Sequence, residues 1–327
     1  MALDVPDEER DIYDPNFVAD LFDRCAGHYR RWAAVASFGF VSLWRRQCAA
    51  RLPGQIALSR HKGAFLNSRT PEIVDLMAGT GEVWPHILRL YPEARITAID
   101  ISPEMHTQAL TQLHGPYAHR IKHIAADALQ HELAPASADI IVATFGLKTL
   151  TPAGQDVLAR QIAGTLRPGG AFSLIEASDP KDWVLRPLYR FHLDTVLPLI
   201  ERLFLKGAQD FSMLGTYTRS FGDCSHFAES LRREGLFVSQ RQHFFGCATS
   251  VAGFKHKACR FVIAPQACLF RGGKGFAING DFVGIGDVQR WAVDDLAVHT
   301  DAPGANDLFR AAPTRQTSAG DDFGYAV

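Results

Sequence analysis

The 327-residue chain has no Cys-x-x-Cys pair, no uninterrupted apolar run long enough to span a bilayer, and almost no net charge, −1 at pH 7. Its cysteines (Cys25, Cys48, Cys224, Cys247, Cys259 and Cys268) are scattered. That spacing excludes a paired zinc site and reads as reduced thiols of a cytoplasmic protein. The opening residues are acidic (Asp4, Asp7, Glu8, Glu9), the wrong composition for a secretory leader. The charge balance supplies no general drive toward nucleic acid or an anionic membrane. Any membrane contact is therefore expected to be transient rather than spanning. His106, His114, His119, His123 and His131 fit no ligand spacing, so no metal is expected.

What is present is a hydrophobic fraction of 47%, enough for a sizeable core. The chain is organised around Glu72-Ile73-Val74-Asp75-Leu76-Met77-Ala78-Gly79-Thr80-Gly81-Glu82. This stretch reads as a buried strand, a Gly-x-Gly turn and the start of a helix, the cofactor-binding opening of a doubly wound α/β sheet. A side chain at Gly79 or Gly81 would hold a ligand away from the backbone amides. The third glycine of a dinucleotide fingerprint is missing, and Trp84 stands in its place. That departure disfavours NAD or FAD and suits a cofactor presenting a single carboxylate, such as S-adenosylmethionine. A second strand, Ala94 to Asp100, ends in an acid placed to accept from ribose hydroxyls.

The remaining elements alternate. Residues 1–15 read as a flexible lead, and Pro15 to Leu52 as a pair of helices punctuated by Gly39 and by Pro53-Gly54, placed to form a lid, to pack on the sheet, or both. Ser102-Pro103-Glu104 starts a helix. Strands follow at Ile121–Asp127, Ala138–Phe145 and Ala171–Ala177, with a helix before the last of them stopped by Arg167-Pro168-Gly169-Gly170. This βα alternation implies a parallel sheet. Pro180 to Lys206 is aromatic and amphipathic (Trp183, Leu188, Tyr189, Phe191) and is expected to cover a cavity, or else to fill core space. A helix from Cys224 to Glu234 precedes strands near Val238–Phe245 and Thr249–Lys257. Residues 16–258 thus form one domain, and 259–327 an extension of unassigned role whose end reads as a disordered tail. An oligomer contact or a mobile flap is left open for it. Phe270-Arg271-Gly272-Gly273-Lys274-Gly275 lacks Walker spacing and is no phosphate loop.

Several stretches resemble the UbiE-type methyltransferases of ubiquinone and menaquinone biosynthesis. They are Leu21-Phe22-Asp23-Arg24, Leu43-Trp44-Arg45-Arg46, DLMAGTGE (Asp75–Glu82), AIDIS (Ala98–Ser102), TFGLKTL (Thr144–Leu150), LRPGG (Leu166–Gly170), IEASDP (Ile175–Pro180) and Tyr217-Thr218-Arg219-Ser220. The resemblance spans about residues 20 to 257. It implies a Rossmann-like class I methyltransferase fold: seven strands, only the last antiparallel, helices on both faces, and a helical lid at the N-terminal side. It also implies S-adenosylmethionine as cofactor, with Asp75, Gly79, Thr80, Gly81, Asp100, Ile101, Asp127, Ala128 and Thr144 at its site. Where the quinone enzymes carry Arg-Asn after Phe-Gly-Leu, this chain carries Lys148-Thr149. Arginine and lysine are not interchangeable at such places.

Methyl transfer needs alignment and exclusion of water more than a strong catalytic constellation. A base or cation helps where the acceptor must become an anion. Lys148 is the first candidate, with Tyr29 and His192 behind it. The expected acceptor is an apolar or aromatic small molecule, including a quinone-type carbon. The rivals are O- or N-methylation of a secondary metabolite or lipid amine, and a catalytically silent cofactor-binding scaffold.

Overall fold

The computed structural model describes residues 11–59, 70–112, 117–204 and 213–256. The extension assigned to 259–327 lies outside these residues, as do the first ten residues of the acidic lead. Among the described residues, the strands β1 (Glu72–Leu76), β2 (Arg95–Asp100), β3 (Ile121–Ala125), β4 (Ala138–Thr144), β5 (Leu166–Ala177), β6 (Leu236–His243) and β7 (Ala248–Lys255) form one sheet in the order β3-β2-β1-β4-β5-β7-β6. The first five run parallel, and β7 is antiparallel to both of its neighbours, β5 and β6. The order reverses between β1 and β4, and ligands of such sheets lie outside the carboxyl ends of the strands at that point.

The helices are α1 (Pro15–Cys25), α2 (Tyr29–Ala36), α3 (Phe40–Ser59), α4 (Trp84–Leu90), α5 (Pro103–Gln112), α6 (Pro152–Thr165), α7 (Arg186–Phe191), α8 (Leu197–Phe204), α9 (Met213–Phe221) and α10 (Ser225–Arg233). Helices cover both faces of the sheet. Val74 and Ile141 pack with Leu158 of α6 and Phe227 of α10, while Ile73, Ile140 and Val142 pack with Leu52 of α3 and Ile87 of α4. Successive strand residues point to opposite faces. A strand covered on both faces is therefore apolar throughout, which is why β1 and β4 read as unbroken runs rather than alternating ones.

The N-terminal region differs from the expected pair of helices. Only α1 and α2 stand over the ends of the strands. α3 lies on β5 and β7, pinned there by Arg51, whose Nη1 donates to Ser250 Oγ (2.7 Å) and whose Nη2 donates to Ser239 Oγ (2.7 Å). Gly39 does break the chain, at φ +81°. Pro53-Gly54 does not: Pro53 lies inside α3. A proline inside a helix costs about 3 kcal/mol. Leu52 and Ile56 are both buried against the sheet, and each such side chain returns roughly 1.5–3 kcal/mol. Packing therefore carries the helix through the proline. The Arg167-Pro168-Gly169-Gly170 stretch likewise belongs to the start of β5 rather than standing between helix and strand.

The first of the N-terminal helices, α1, is tied down at both ends. Asp14 caps α1 by accepting from the amides of Asn16 (2.9 Å) and Phe17 (3.1 Å). From the same helix, Asp23 accepts from the Glu104 amide at the start of α5 (3.0 Å). Ser102 caps α5 as expected, accepting from the Met105 amide at 3.0 Å.

Candidate active site

Two cavities lie at the carboxyl ends of the strands and meet beside the end of β4. The smaller, of about 80 Å³, is bordered by Gly79 and Glu82 after β1, by Asp100 and Ile101 at β2, by Asp127 and Ala128 after β3, and by Thr144 at β4. The larger, of about 380 Å³, is walled mainly by aromatic and aliphatic side chains from α2, α3, α7, α9 and the turn after β6. Phe22, Tyr29, Phe145 and Thr149 border both cavities and form the partition between them.

The glycine turn is built by close approach. Gly81 sits at φ +78°, and a Cβ there would meet the Trp84 ring at 2.4 Å. Gly146, after β4, admits none either, because Met77 lies 2.5 Å from where it would stand. Met77 (φ +53°) and Phe145 (φ +68°) are side-chain-bearing residues in left-handed backbone, one after β1 and one after β4. Such strain persists where surrounding structure over-determines it, commonly at ligand sites.

Asp100 holds the turn from below. Its Oδ2 accepts from the Gly79 amide (2.7 Å) and its Oδ1 from the Ser102 amide (3.0 Å). Burial pushes its carboxyl up to about 6, against the pull of those two bonds. Asp127 accepts from the Leu129 amide at 2.8 Å. Three of the sequence candidates stand behind the cavity rather than in its wall. Thr80 is buried and its hydroxyl bonds Glu82, Gly81 is packed against Trp84, and Asp75 is fully buried with Trp84 Nε1 donating to its Oδ2 at 2.7 Å.

Asp75 Oδ1 has no hydrogen-bond partner among the described residues. Burial first, then the neighbouring Asp100 and Glu82 charges, push its carboxyl up to about 8, opposed by the Trp84 bond and Arg45. The folded protein thus keeps a proton that the unfolded chain loses near pH 4. Stability from this group is full below that pH and is lost as pH rises toward 8. Asp75→Asn keeps the acceptor for Trp84 and removes the titration. Its stability gain over the natural protein should grow between about pH 5 and pH 8 by on the order of 2–4 kcal/mol. Urea unfolding at both pH values checks this, and a constant difference would contradict it.

The three catalytic candidates all border the larger cavity. Lys148 is 7% exposed, and its Nζ donates to Glu176 Oε1 (2.9 Å) and to the Phe145 carbonyl (2.8 Å). Glu176 is fully buried and also accepts from the amides of Lys148 (3.1 Å) and Ala177 (2.7 Å). Tyr29 stands in the partition, and burial holds its phenol well above its ordinary range, which keeps it protonated. His192 is stacked on Phe38 (4.3 Å between centroids), and its Nε2 lies 3.3 Å from the Ala36 carbonyl. Burial lowers its imidazole below the usual value, so it is a neutral wall residue. The segment expected to cover a cavity does so: Trp183, Leu188, Tyr189 and Phe191 all border the larger one.

The family model described as the ubiE/COQ5 methyltransferase family matches residues 7–255. The chain belongs to this family. A C-methyltransferase UbiE of ubiquinone/menaquinone biosynthesis from Rubrivivax gelatinosus is 32% identical to this methyltransferase over 244 residues, 73% of this chain and 86% of that protein. A demethylmenaquinone methyltransferase from Geobacillus stearothermophilus is 27% identical over 238 residues, 72% and 95% of the two chains. Among solved structures, a putative methyltransferase in complex with the Trm112 activator of Haloferax volcanii shares the fold. There the TM-score is 0.50 at 15% identity, covering 72% of this chain and 97% of that one.

The methyltransferase uses S-adenosylmethionine, and the small cavity fits it chemically. A glycine turn admits close backbone approach. The buried Asp100 carboxylate has lone pairs beyond its two amide bonds, and a second carboxyl, Asp127, borders the cavity one strand farther out. Sequence reasoning gave no role to Arg45, Glu82, Phe145 or Glu176. Each lies inside or beside a quoted motif, so adjacency to Gly79-Thr80-Gly81 was the available signal for Glu82. Arg45 in Leu43-Trp44-Arg45-Arg46 and Glu176 in Ile175–Pro180 carried only their place in those stretches, which named no partner for either.

Proposed function

We propose that this methyltransferase methylates a ring carbon of an apolar, hydroxylated aromatic acceptor of quinol type held in the larger cavity. The observation that carries the reading is the junction of a polar cavity and an apolar one across Phe22, Tyr29, Phe145 and Thr149, with a buried lysine beside it. S-adenosylmethionine, when bound, supplies a sulfonium-activated methyl group. An ammonium has three donors. Lys148 gives one to Glu176 and one to the Phe145 carbonyl, which leaves one for an acceptor oxygen. That donor, charged and little exposed, holds as an anion the ring oxygen of an acceptor whose hydroxyl proton has gone to solvent, and so activates the carbon beside it. The ring proton that the methyl displaces leaves to solvent as the product departs. Glu176 is already engaged by three N–H groups, so it holds Lys148 rather than taking a proton. Phe145 and Tyr29 keep water from the line of transfer.

The printed functions of the Rubrivivax and Geobacillus relatives support the same class of acceptor. Such a molecule resides in lipid. No helix among the described residues is long and apolar enough to cross a membrane. The exposed Leu185, Leu188 and Phe191 at the border of the cavity suit a brief lipid contact by a cytoplasmic protein. A second reading, O-methylation of the same ring, is favoured by Lys148 itself, because a cation that makes an oxygen anionic also makes it a nucleophile.

The test incubates the protein and methyl-labelled S-adenosylmethionine with reduced lipid extract and, separately, with polar extract of the source organism. Label in a lipid product whose NMR shows a ring-bound methyl is the expected result. An oxygen-bound methyl selects the second reading. Label confined to the polar fraction overturns both.

A further inference from the structure

Arg45 and Glu82 border the smaller cavity as opposite charges that barely satisfy one another. Their side chains are only 6% and 12% exposed, yet Arg45 Nη2 and Glu82 Oε2 stand 3.6 Å apart. Charge-assisted hydrogen bonds run about 2.7–2.9 Å, so this is a contact of charges rather than a bond. Arg45 Nε has no hydrogen-bond partner among the described residues. A buried guanidinium left this way costs stability unless something else completes it. The Phe145 ring lies 5.3 Å from its carbon and holds it in place at the partition.

The sheet order says what that something is. Asp127 and Ala128 follow β3, Asp100 and Ile101 stand at the end of β2, Glu82 follows β1 and Thr144 ends β4, so the cavity is bordered by four neighbouring strands in the order β3-β2-β1-β4. Adjacent strands lie about 4.8 Å apart. With the adenosine part laid along the β2 and β3 ends, the β1 end remains for the rest of the cofactor, and Arg45 reaches it from α3. We propose that Arg45 and Glu82 form a zwitterion clamp for the α-amino-acid end of S-adenosylmethionine: the guanidinium takes its carboxylate and the Glu82 carboxylate takes its ammonium. The two side chains exchange their loose mutual contact for one charge each. The inference rests on the cofactor and not on the acceptor.

The test is calorimetric, with S-adenosylhomocysteine and with 5′-methylthioadenosine, which keeps the adenosine thioether and lacks the amino-acid end. The natural protein should prefer the former by about a hundredfold or more, the size expected of two charge-assisted contacts. Arg45→Met should erase most of that preference while leaving 5′-methylthioadenosine affinity unchanged, and that unchanged affinity certifies the fold. Glu82→Gln should give a smaller loss of the same selectivity. Decarboxylated S-adenosylmethionine, which lacks only the carboxylate, should bind the natural protein and Arg45→Met alike. Equal weakening of both nucleosides in an Arg45→Met protein of unchanged melting overturns the clamp, because a purely structural ion pair would do that. A natural protein that binds the two nucleosides equally overturns it without any variant. A natural protein that binds neither overturns the cofactor assignment beneath it.

Discussion

Asp100→Ala lowers the affinity for S-adenosylmethionine by about a hundredfold or more, since a hydrogen bond to a charged acceptor is worth roughly 1.5–3 kcal/mol and a ribose offers two hydroxyls. Asp100→Asn should do little better. Both carboxylate oxygens already face backbone N–H groups, those of Gly79 and Ser102. An amide would turn a donor against one of them and unsettle the glycine turn. The pH dependence follows from the same atoms. Burial raises the Asp100 carboxyl to about 6, and the ligand needs the ionised form. Affinity should be level above pH 7, halve near pH 6, and fall about tenfold for each unit below that. Calorimetric titration of S-adenosylhomocysteine at several pH values reads this directly. Micromolar affinity retained by Asp100→Ala, or a flat profile down to pH 5, would remove Asp100 from the site.

Much of this site was legible because its parts are local. Strand, glycine turn and terminal acid follow one another within a single βαβ unit, and Ser102 with Pro103 announces the next helix. The parallel strands read clearly because burial on both faces leaves no polar position inside Ile140–Val142. What could not be read depends on contacts between distant stretches. Lys148 and Glu176 meet because Thr144 pairs with Ile175 across β4 and β5, which brings the turn after β4 beside the last residues of β5. That register is invisible in either segment alone. Arg45 reaches Glu82 only because α3 continues on the sheet and fixes its own rotation, and the same packing carries it through Pro53 against its local propensity. The apolar content of Pro180–Lys206 was equally compatible with core and with cavity wall. Its outward side chains Leu185, Leu188 and Phe191, together with the cavity beneath them, decide for the wall.

Lys148 carries the second large effect. Removing one preorganised donor from a developing oxyanion typically costs 10²–10³ in turnover, so Lys148→Met should lose roughly that much with cofactor affinity unchanged. The single variant has a flaw: it strands the fully buried Glu176 carboxylate, and breaking a buried pair costs about 3–5 kcal/mol. The decisive protein is therefore Lys148→Met with Glu176→Gln, which removes both charges together. It should melt within a few degrees of the natural protein, bind S-adenosylhomocysteine normally and turn over about a hundredfold or more slowly. Lys148→Arg separates charge from geometry. A guanidinium keeps the positive charge and the pairing with Glu176, but its planar fork cannot repeat the single Nζ that bonds Glu176, the Phe145 carbonyl and the acceptor at once. Partial turnover in Lys148→Arg, between the natural protein and the double variant, is the expected result. Full turnover in the double variant would mean that the acceptor needs no cation, and methyl transfer would then rest on alignment across the Phe22, Tyr29, Phe145 and Thr149 partition alone.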